Sequence, residues 1–199
     1  MAEAGATVTP RVTRPQLGAQ FEGILAAAQA GGEWAVAALY RALHPAVLRY
    51  FRSRAGQEAE DLASETWLDV ARGLPGFAGS EEAFRSWVFT IAHRRLVDHH
   101  RSARRRPVTT GADQSMVAVP AADDPAATVL DGVAGDAAVR RLWELLSPEQ
   151  AEIVVLRVVG DLSAEDVARI TGRRVGAVRV AQHRALRRLA QKLEGAGGL

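Results

Sequence analysis

The chain has 199 residues, no cysteine, and 25 Lys plus Arg against 23 Asp plus Glu, for a formal net charge of +2. That length can bury most of its apolar surface as one domain or as two small ones. Without cysteine there is no disulfide scaffold, no cysteine zinc finger, no iron–sulfur site and no thiol nucleophile, so any redox sensing must lie in a partner.

Lys192 is the only lysine, so the basic complement is almost wholly arginine, and what matters is where those arginines sit. No stretch approaches the roughly 18 uninterrupted apolar residues of a membrane span, and Met1 to Gln16 lack the apolar core of a signal peptide. These features predict a cytoplasmic chain with no membrane insertion of its own.

Residues 1–16, rich in Thr and Pro, read as a mobile tail. Helical spacing begins with Phe21, Ile24, Leu25 and Ala28 and is interrupted by Gly31-Gly32. A second run passes through Leu39, Tyr40 and Leu43, crosses Pro45 and continues over Val47, Leu48 and Phe51 to Gly56. In the third, Ala63, Trp67, Val70, Ala71 and Leu74 form an apolar stripe, while Glu58, Asp61, Glu65 and Asp69 make another face acidic. The fourth carries Phe84, Trp87, Val88 and Ile91 and then turns basic through Arg94, Arg95, Arg101, Arg104, Arg105 and Arg106. Trp87, with these helical neighbours, reads as core. Asp98 sits at helical spacing from Arg94 and Arg101, which suits a structural ion pair.

Residues 107–138 contain three prolines and five aspartates with no basic residue, and read as a flexible acidic linker. Ser147-Pro148-Glu149-Gln150 then has the form of a capping box, followed by a core run from Ile153 to Val159. Ser163 caps a short helix, Thr171-Gly172 makes a turn, and a longer helix starts near Val175, the spacing of a helix-turn-helix. On that last helix Val178, Ala181, Ala185, Leu189 and Leu193 share one face, with Gly176, Arg179, Val180, His183, Arg184 and Arg187 opposite. Between Arg173 and Lys192 there are seven basic residues and no acid, the distribution a recognition helix needs.

These residues carry a resemblance. Leu145 to Gln150, Val154 to Arg157, Leu162 to Ala168, and Val175 to Arg179 with His183-Arg184-Ala185 resemble the sigma-4 domain of bacterial RNA polymerase sigma factors of the extracytoplasmic-function (ECF) group, in the sigma-70 superfamily. Leu39-Tyr40, Val47 to Tyr50, Ala59 to Leu62, Glu65-Thr66-Trp67, and Phe84, Trp87, Ile91-Ala92, Asp98 and Arg101 resemble the sigma-2 domain. The resemblance implies an all-α fold of two small helical domains, a sigma-2 bundle over 17–106 and a sigma-4 helix-turn-helix over 139–199, joined by the linker.

It further implies a protein that joins core RNA polymerase, recognises the minus-35 and minus-10 promoter elements and assists DNA opening. It would not be an enzyme and would need no cofactor, metal or catalytic residue. Asp61, Ser64, Glu65 and Asp69 would face the basic coiled coil of the polymerase beta-prime subunit. The loop from Gly76 to Glu82 would surround a flipped base of the minus-10 element, with Arg94, Arg95, Arg101, Arg104 and Arg105 on phosphates. Arg179, Val180, His183 and Arg184 would contact the minus-35 element, with the helix N-terminus at Gly176 and Ala177 close to phosphate and Arg187, Arg188 and Lys192 on phosphate or the beta flap. An anti-sigma factor is the expected regulatory partner. The family commonly has Arg-Asn where His93-Arg94 stands, and a branched aliphatic where Gln182 stands.

Two rival readings fit less of the chain. A free-standing helix-turn-helix regulator leaves the acidic helix unexplained. A metal enzyme built on His93, Asp98, His99 and His100 is disfavoured because adjacent helical residues diverge by about 100° and arginines repel a cation.

Overall fold

A computed structural model describes residues 17–105 and 126–196, and among them the regular structure is entirely helical. The first unit comprises α1 (Phe21–Gln29), α2 (Glu33–Ala55), α3 (Ala59–Gly73) and α4 (Glu81–Arg105). The second comprises α5 (Ala126–Leu145), α6 (Pro148–Val158), α7 (Ala164–Thr171) and α8 (Val175–Ala196). The all-α class with two helical units is as expected. The tail over 1–16 and residues 107–125 of the expected linker lie outside the described residues. Residues 126–138, also read as linker, belong instead to the first part of α5. Pro125 is the last proline of the acidic segment, and the alanine-rich run after it favours helix.

In the first unit, α2 buries Leu39, Leu43, Val47, Tyr50 and Phe51, and α4 buries Phe84, Val88, Phe89, Ala92 and Leu96. Helix α2 continues through Pro45, which removes the donor to the Arg41 carbonyl. Both residues are exposed, so water can reach that carbonyl. Trp87 packs as expected: its ring stacks on Phe77 at 5.1 Å and lies against Gly73, where a Cβ would come within 2.6 Å of the indole.

Local sequence sets the second unit just as directly. Ser147 and Gln150 form the expected capping box at the start of α6, and Ser163 and Asp166 form another at α7. Gly172 closes α7 in the left-handed region (φ 69°), a conformation that costs little only without a Cβ. Val167, Ala168, Ile170, Val178 and Ala185 are buried and hold the helix-turn-helix onto α6. Gln182, inside the apolar stripe, is half-buried and accepts a hydrogen bond from Arg157 Nε at 3.1 Å.

The two units are packed together. One cluster of buried side chains includes Phe89 and Leu96 of the first and Val139, Ile153 and Val167 of the second. Arg49 and Arg52 each reach Asp136 at 3.3 Å. Glu152 lies 4.0 Å from Arg54 and 3.5 Å from His93 Nδ1, which also pairs with the Tyr50 hydroxyl at 3.1 Å. Arg54 stacks over Trp143 at 4.3 Å. Ser86 donates to Asp166 at 2.9 Å and accepts from Arg169 at 3.0 Å.

Burial holds the His93 imidazole below its ordinary pKa, against the pull of Glu152 and with that of Arg54. His44 is lowered by burial too, opposed by Glu60 and aided by Arg52. A histidine whose folded pKa is depressed binds fewer protons than in the unfolded chain, so its contribution is present above the unfolded value and lost as pH falls below it. The melting temperature is therefore expected to fall as pH is lowered from 7.5 through about 6.5 to 5. His93→Gln should flatten that slope in part, leaving the His44 share; an unchanged slope would contradict the assignment. Separately, Ser163→Ala removes the α7 cap and is expected to destabilise the protein by about 1 kcal/mol, measured by denaturant unfolding.

Candidate nucleic-acid interface

Helix α3 presents its acidic face as the 3.6-residue period requires. Asp61, Ser64 and Glu65 are exposed, and Asp69 is half-buried. Between Ser64, Glu65 and the helix end stands Leu68, 57% exposed, an apolar side chain that the charge pattern drew attention away from. Its signal was present in the sequence, since it falls off the apolar stripe that Ala63, Trp67 and Val70 define.

The basic half of α4 divides into two groups. Arg94 and Arg101 project into solvent and flank Asp98 at 3.9 and 3.7 Å, the expected local pairs. Arg95 points the other way, across to α3. Its Nε donates to Asp69 at 2.9 Å and its Nη1 to Glu65 at 2.8 Å, with a further contact from Nη2 to Asp69. Arg95 is therefore not a free phosphate contact in this structure, and Asp69 is not a free docking charge. The reason is geometric: Arg94 and Arg95 diverge by about 100° on the helix, so one faces solvent when the other faces α3. The Arg95 hydrogen bond, together with the charges of Arg95 and Arg72, holds the Asp69 carboxyl below the usual carboxylate range. The side chains of Arg104 and Arg105 lie outside the described residues.

At the start of α4, Ser80, Glu81 and Glu82 line a cleft of about 410 Å³ together with Gly18, Phe21 and Arg85. Glu81 fixes the cleft wall by accepting from the backbone N–H groups of Leu17 (3.1 Å) and Gly18 (2.8 Å) and pairing with buried Arg85 at 3.4 Å. Asp161, from the second unit, lines it as well.

On α8 the predicted recognition face is open. Gly176, Ala177, Arg179, Val180, His183, Arg184 and Arg187 are all exposed, Val180 at 50% despite being apolar. Arg179 is held by Glu165 of α7 at 2.6 Å, a contact between the two helices of the motif that aims the guanidinium from the helix start. The structure thus brings together on one helical face the residues expected to contact the minus-35 element, with Arg179 among them already paired to Glu165. His93, by contrast, is turned inward to Glu152 and Tyr50, away from Arg94. Among the described residues no group of three or more acidic or histidine side chains could hold a metal ion.

Comparison with known proteins decides the family. Residues 39–106 match the model for Sigma-70 region 2 and residues 136–189 that for Sigma-70, region 4. The chain is 34% identical to the ECF RNA polymerase sigma factor SigD of Mycobacterium tuberculosis over 96% of its own length and 91% of that protein's. The chain belongs to the ECF RNA polymerase sigma factors. It is also 38% identical to the ECF sigma factor BldN of Streptomyces coelicolor, covering 83% of this chain and 63% of BldN. In fold it is similar to the sigma factor RpoE, solved in complex with the anti-sigma factor NepR from Bartonella quintana, with a TM-score of 0.55 and 23% identity over 78% of this chain and 94% of that one. As an ECF sigma factor the protein acts in promoter-specific transcription initiation, and among the described residues no helix is long and apolar enough to cross a membrane.

Because Arg95 is the main support of the low Asp69 pKa, Arg95→Ala is expected to return that carboxyl toward its ordinary value in an NMR pH titration. An Asp69 that still titrated low would place the cause elsewhere.

Proposed function

We propose that this ECF sigma factor uses oppositely charged surfaces for its two partners: the exposed acids of α3 for core RNA polymerase, and the arginines of α4 and α8 for promoter DNA. The observation that carries this reading is the separation of charge. Asp61, Ser64, Glu65 and Leu68 are exposed together on α3, and the open face of α8 from Arg179 to Arg187 contains no acid. Opposite charge on polymerase steers the encounter, and Leu68 supplies the apolar contact that a purely ionic surface lacks.

In this division of labour residues 17–106 bind core polymerase and the minus-10 element, and 139–199 read the minus-35 element. Residues 107–125 link these two parts, and α5 opens the second. Arg179, Val180, His183 and Arg184 reach base edges, and Gly176, Ala177 and Arg187 stand near phosphate. Arg94, Arg101, Arg104 and Arg105 hold phosphates of the minus-10 region. The cleft beside Ser80 to Glu82 receives a base taken out of the stack, at a cost of a few kcal/mol that its walls recover. Arg95 serves first as the strut that fixes α4 to α3. The protein works in the cytoplasm, catalyses no reaction itself and is restrained by an anti-sigma factor.

Run-off transcription with core polymerase on a genomic fragment library tests the activity and yields both promoter elements. Promoter-specific transcripts absent with core alone are expected. Asp61→Lys should weaken core binding without altering DNA contacts. Arg184→Ala should reduce initiation at promoters with a minus-35 element by about tenfold, the loss of one base-reading side chain. Wild-type activity in both variants would sink the site assignment, and no specific transcript from the unaltered protein would sink the function.

A further inference from the structure

The recognition face of α8 carries one residue that its charge does not account for. Val180 is 50% exposed, because it stands about 200° around the helix from Val178, which is fully buried. At 3.6 residues per turn Gly176, His183, Arg184 and Arg187 all fall within about 60° of Val180, so it occupies the centre of the face. Leu186 is equally exposed but lies about 120° away, off that face. A lone exposed valine is ordinary on a protein surface. This one is ringed by the groups assigned to DNA.

Its neighbours leave it room. Gly176 and Ala177, one turn nearer the helix start, reach no further than a Cβ, and a Cβ added at Gly176 would meet no atom within 4 Å. The first turns of α8 can therefore come close to the floor of a groove, where a short side chain makes contact. The longer Arg179 is held to one side by Glu165 at 2.6 Å. Branching at Cβ restricts χ1 of a helical valine, so Val180 presents its two methyl groups in one preferred direction and loses little rotamer freedom on binding.

A valine side chain has neither donor nor acceptor, so it cannot read the hydrogen-bonding edge of a base. The apolar group that a base pair displays in the major groove is the C5-methyl of thymine. We propose that Val180 is a specificity-determining residue that packs against a thymine methyl in the minus-35 element. The inference rests on the assignment of α8 to that element. Arg184 follows Val180 by four residues, about 6 Å of helix rise, and successive base pairs stand about 3.4 Å apart. The thymine therefore lies within two base pairs of the pair that Arg184 contacts. Cytosine has a hydrogen where thymine has the methyl, so a change from thymine to cytosine there loses the contact although both are pyrimidines.

Duplex promoters recovered by run-off transcription, bound by the full chain assembled with core polymerase, provide the test. Each thymine of the minus-35 element, on either strand, is replaced in turn by deoxyuridine, which removes the methyl and keeps every hydrogen-bonding group. One position is expected to lose about threefold to fivefold in affinity, the effect of burying one methyl group. Val180→Ser should abolish the difference between thymine and uracil at that position, and Val180→Ile should keep it. A minus-35 element without thymine, a scan with no sensitive position, or a serine variant that still distinguishes thymine from uracil would each overturn the assignment. If the serine variant binds no promoter, the scan of the unaltered protein decides alone: a sensitive thymine more than two base pairs from the pair whose discrimination is lost in Arg184→Ala overturns it, and one within that distance supports it. Failure of the promoter assignment would show separately, as unaltered minus-35 dependence in Arg184→Ala.

Discussion

Helix α4 has to satisfy three neighbours at once, and the rest of the molecule is arranged around that constraint. One face is buried in the first bundle through Phe84, Val88, Ala92 and Leu96. A second is tied to α3 by Arg95, and a third meets α6 and α7 at His93 and Ser86. What remains for solvent is a narrow strip that includes Arg94 and Arg101. A helix with 3.6 residues per turn cannot offer every arginine to one ligand, so a run that looks uniformly basic in sequence is split by rotation into cations facing water and a cation facing acid.

That split bears on how docking and DNA contact relate. Glu65 and Asp69 lie on the helix assigned to polymerase, yet both are already engaged by Arg95. A basic surface approaching α3 meets Asp61 and Ser64 unpaired by any such strut and has to compete for Glu65. Partly exposed ion pairs of this kind are weak in water, so the competition is feasible at modest cost. The strut nevertheless fixes the angle between α3 and α4, and so the relative placement of the surface assigned to polymerase and the strip assigned to the minus-10 strand.

The helices were legible because their signals are local. The Gly31-Gly32 break, the capping residues Ser147 and Ser163, the Gly172 turn and the apolar spacing of each run all act within a few residues, and the structure has each where the sequence puts it. The open face of α8 was legible for the same reason. The start of α5 was not, because aspartates and prolines as far as Pro125 outweighed the helix-forming alanines that follow. Nor was the pairing of Arg95 with Asp69, 26 residues away, or of Ser86 with Asp166, 80 residues away, since no local pattern marks a partner brought near only by packing. Family resemblance compounded the difficulty, as it assigns Arg95 a role by position along the chain rather than by direction around the helix.

The balance of charge acquires a physical meaning from these long-range pairs. Asp136, Glu152 and Asp166 are acids of the second unit, while the groups that meet them, Arg49, Arg52, Arg54, His93 and Ser86, belong to the first. The near-neutral total of the chain is therefore in part a record of internal complementarity between its halves. An interface rich in ion pairs is a weak source of net stability, because desolvation offsets much of the Coulombic gain. The apolar cluster beneath these pairs, which includes Phe89 and Leu96 of the first unit and Val139, Ile153 and Val167 of the second, therefore supplies most of the hold between the halves. The ion pairs above it fix the register of one half against the other rather than the strength of the contact.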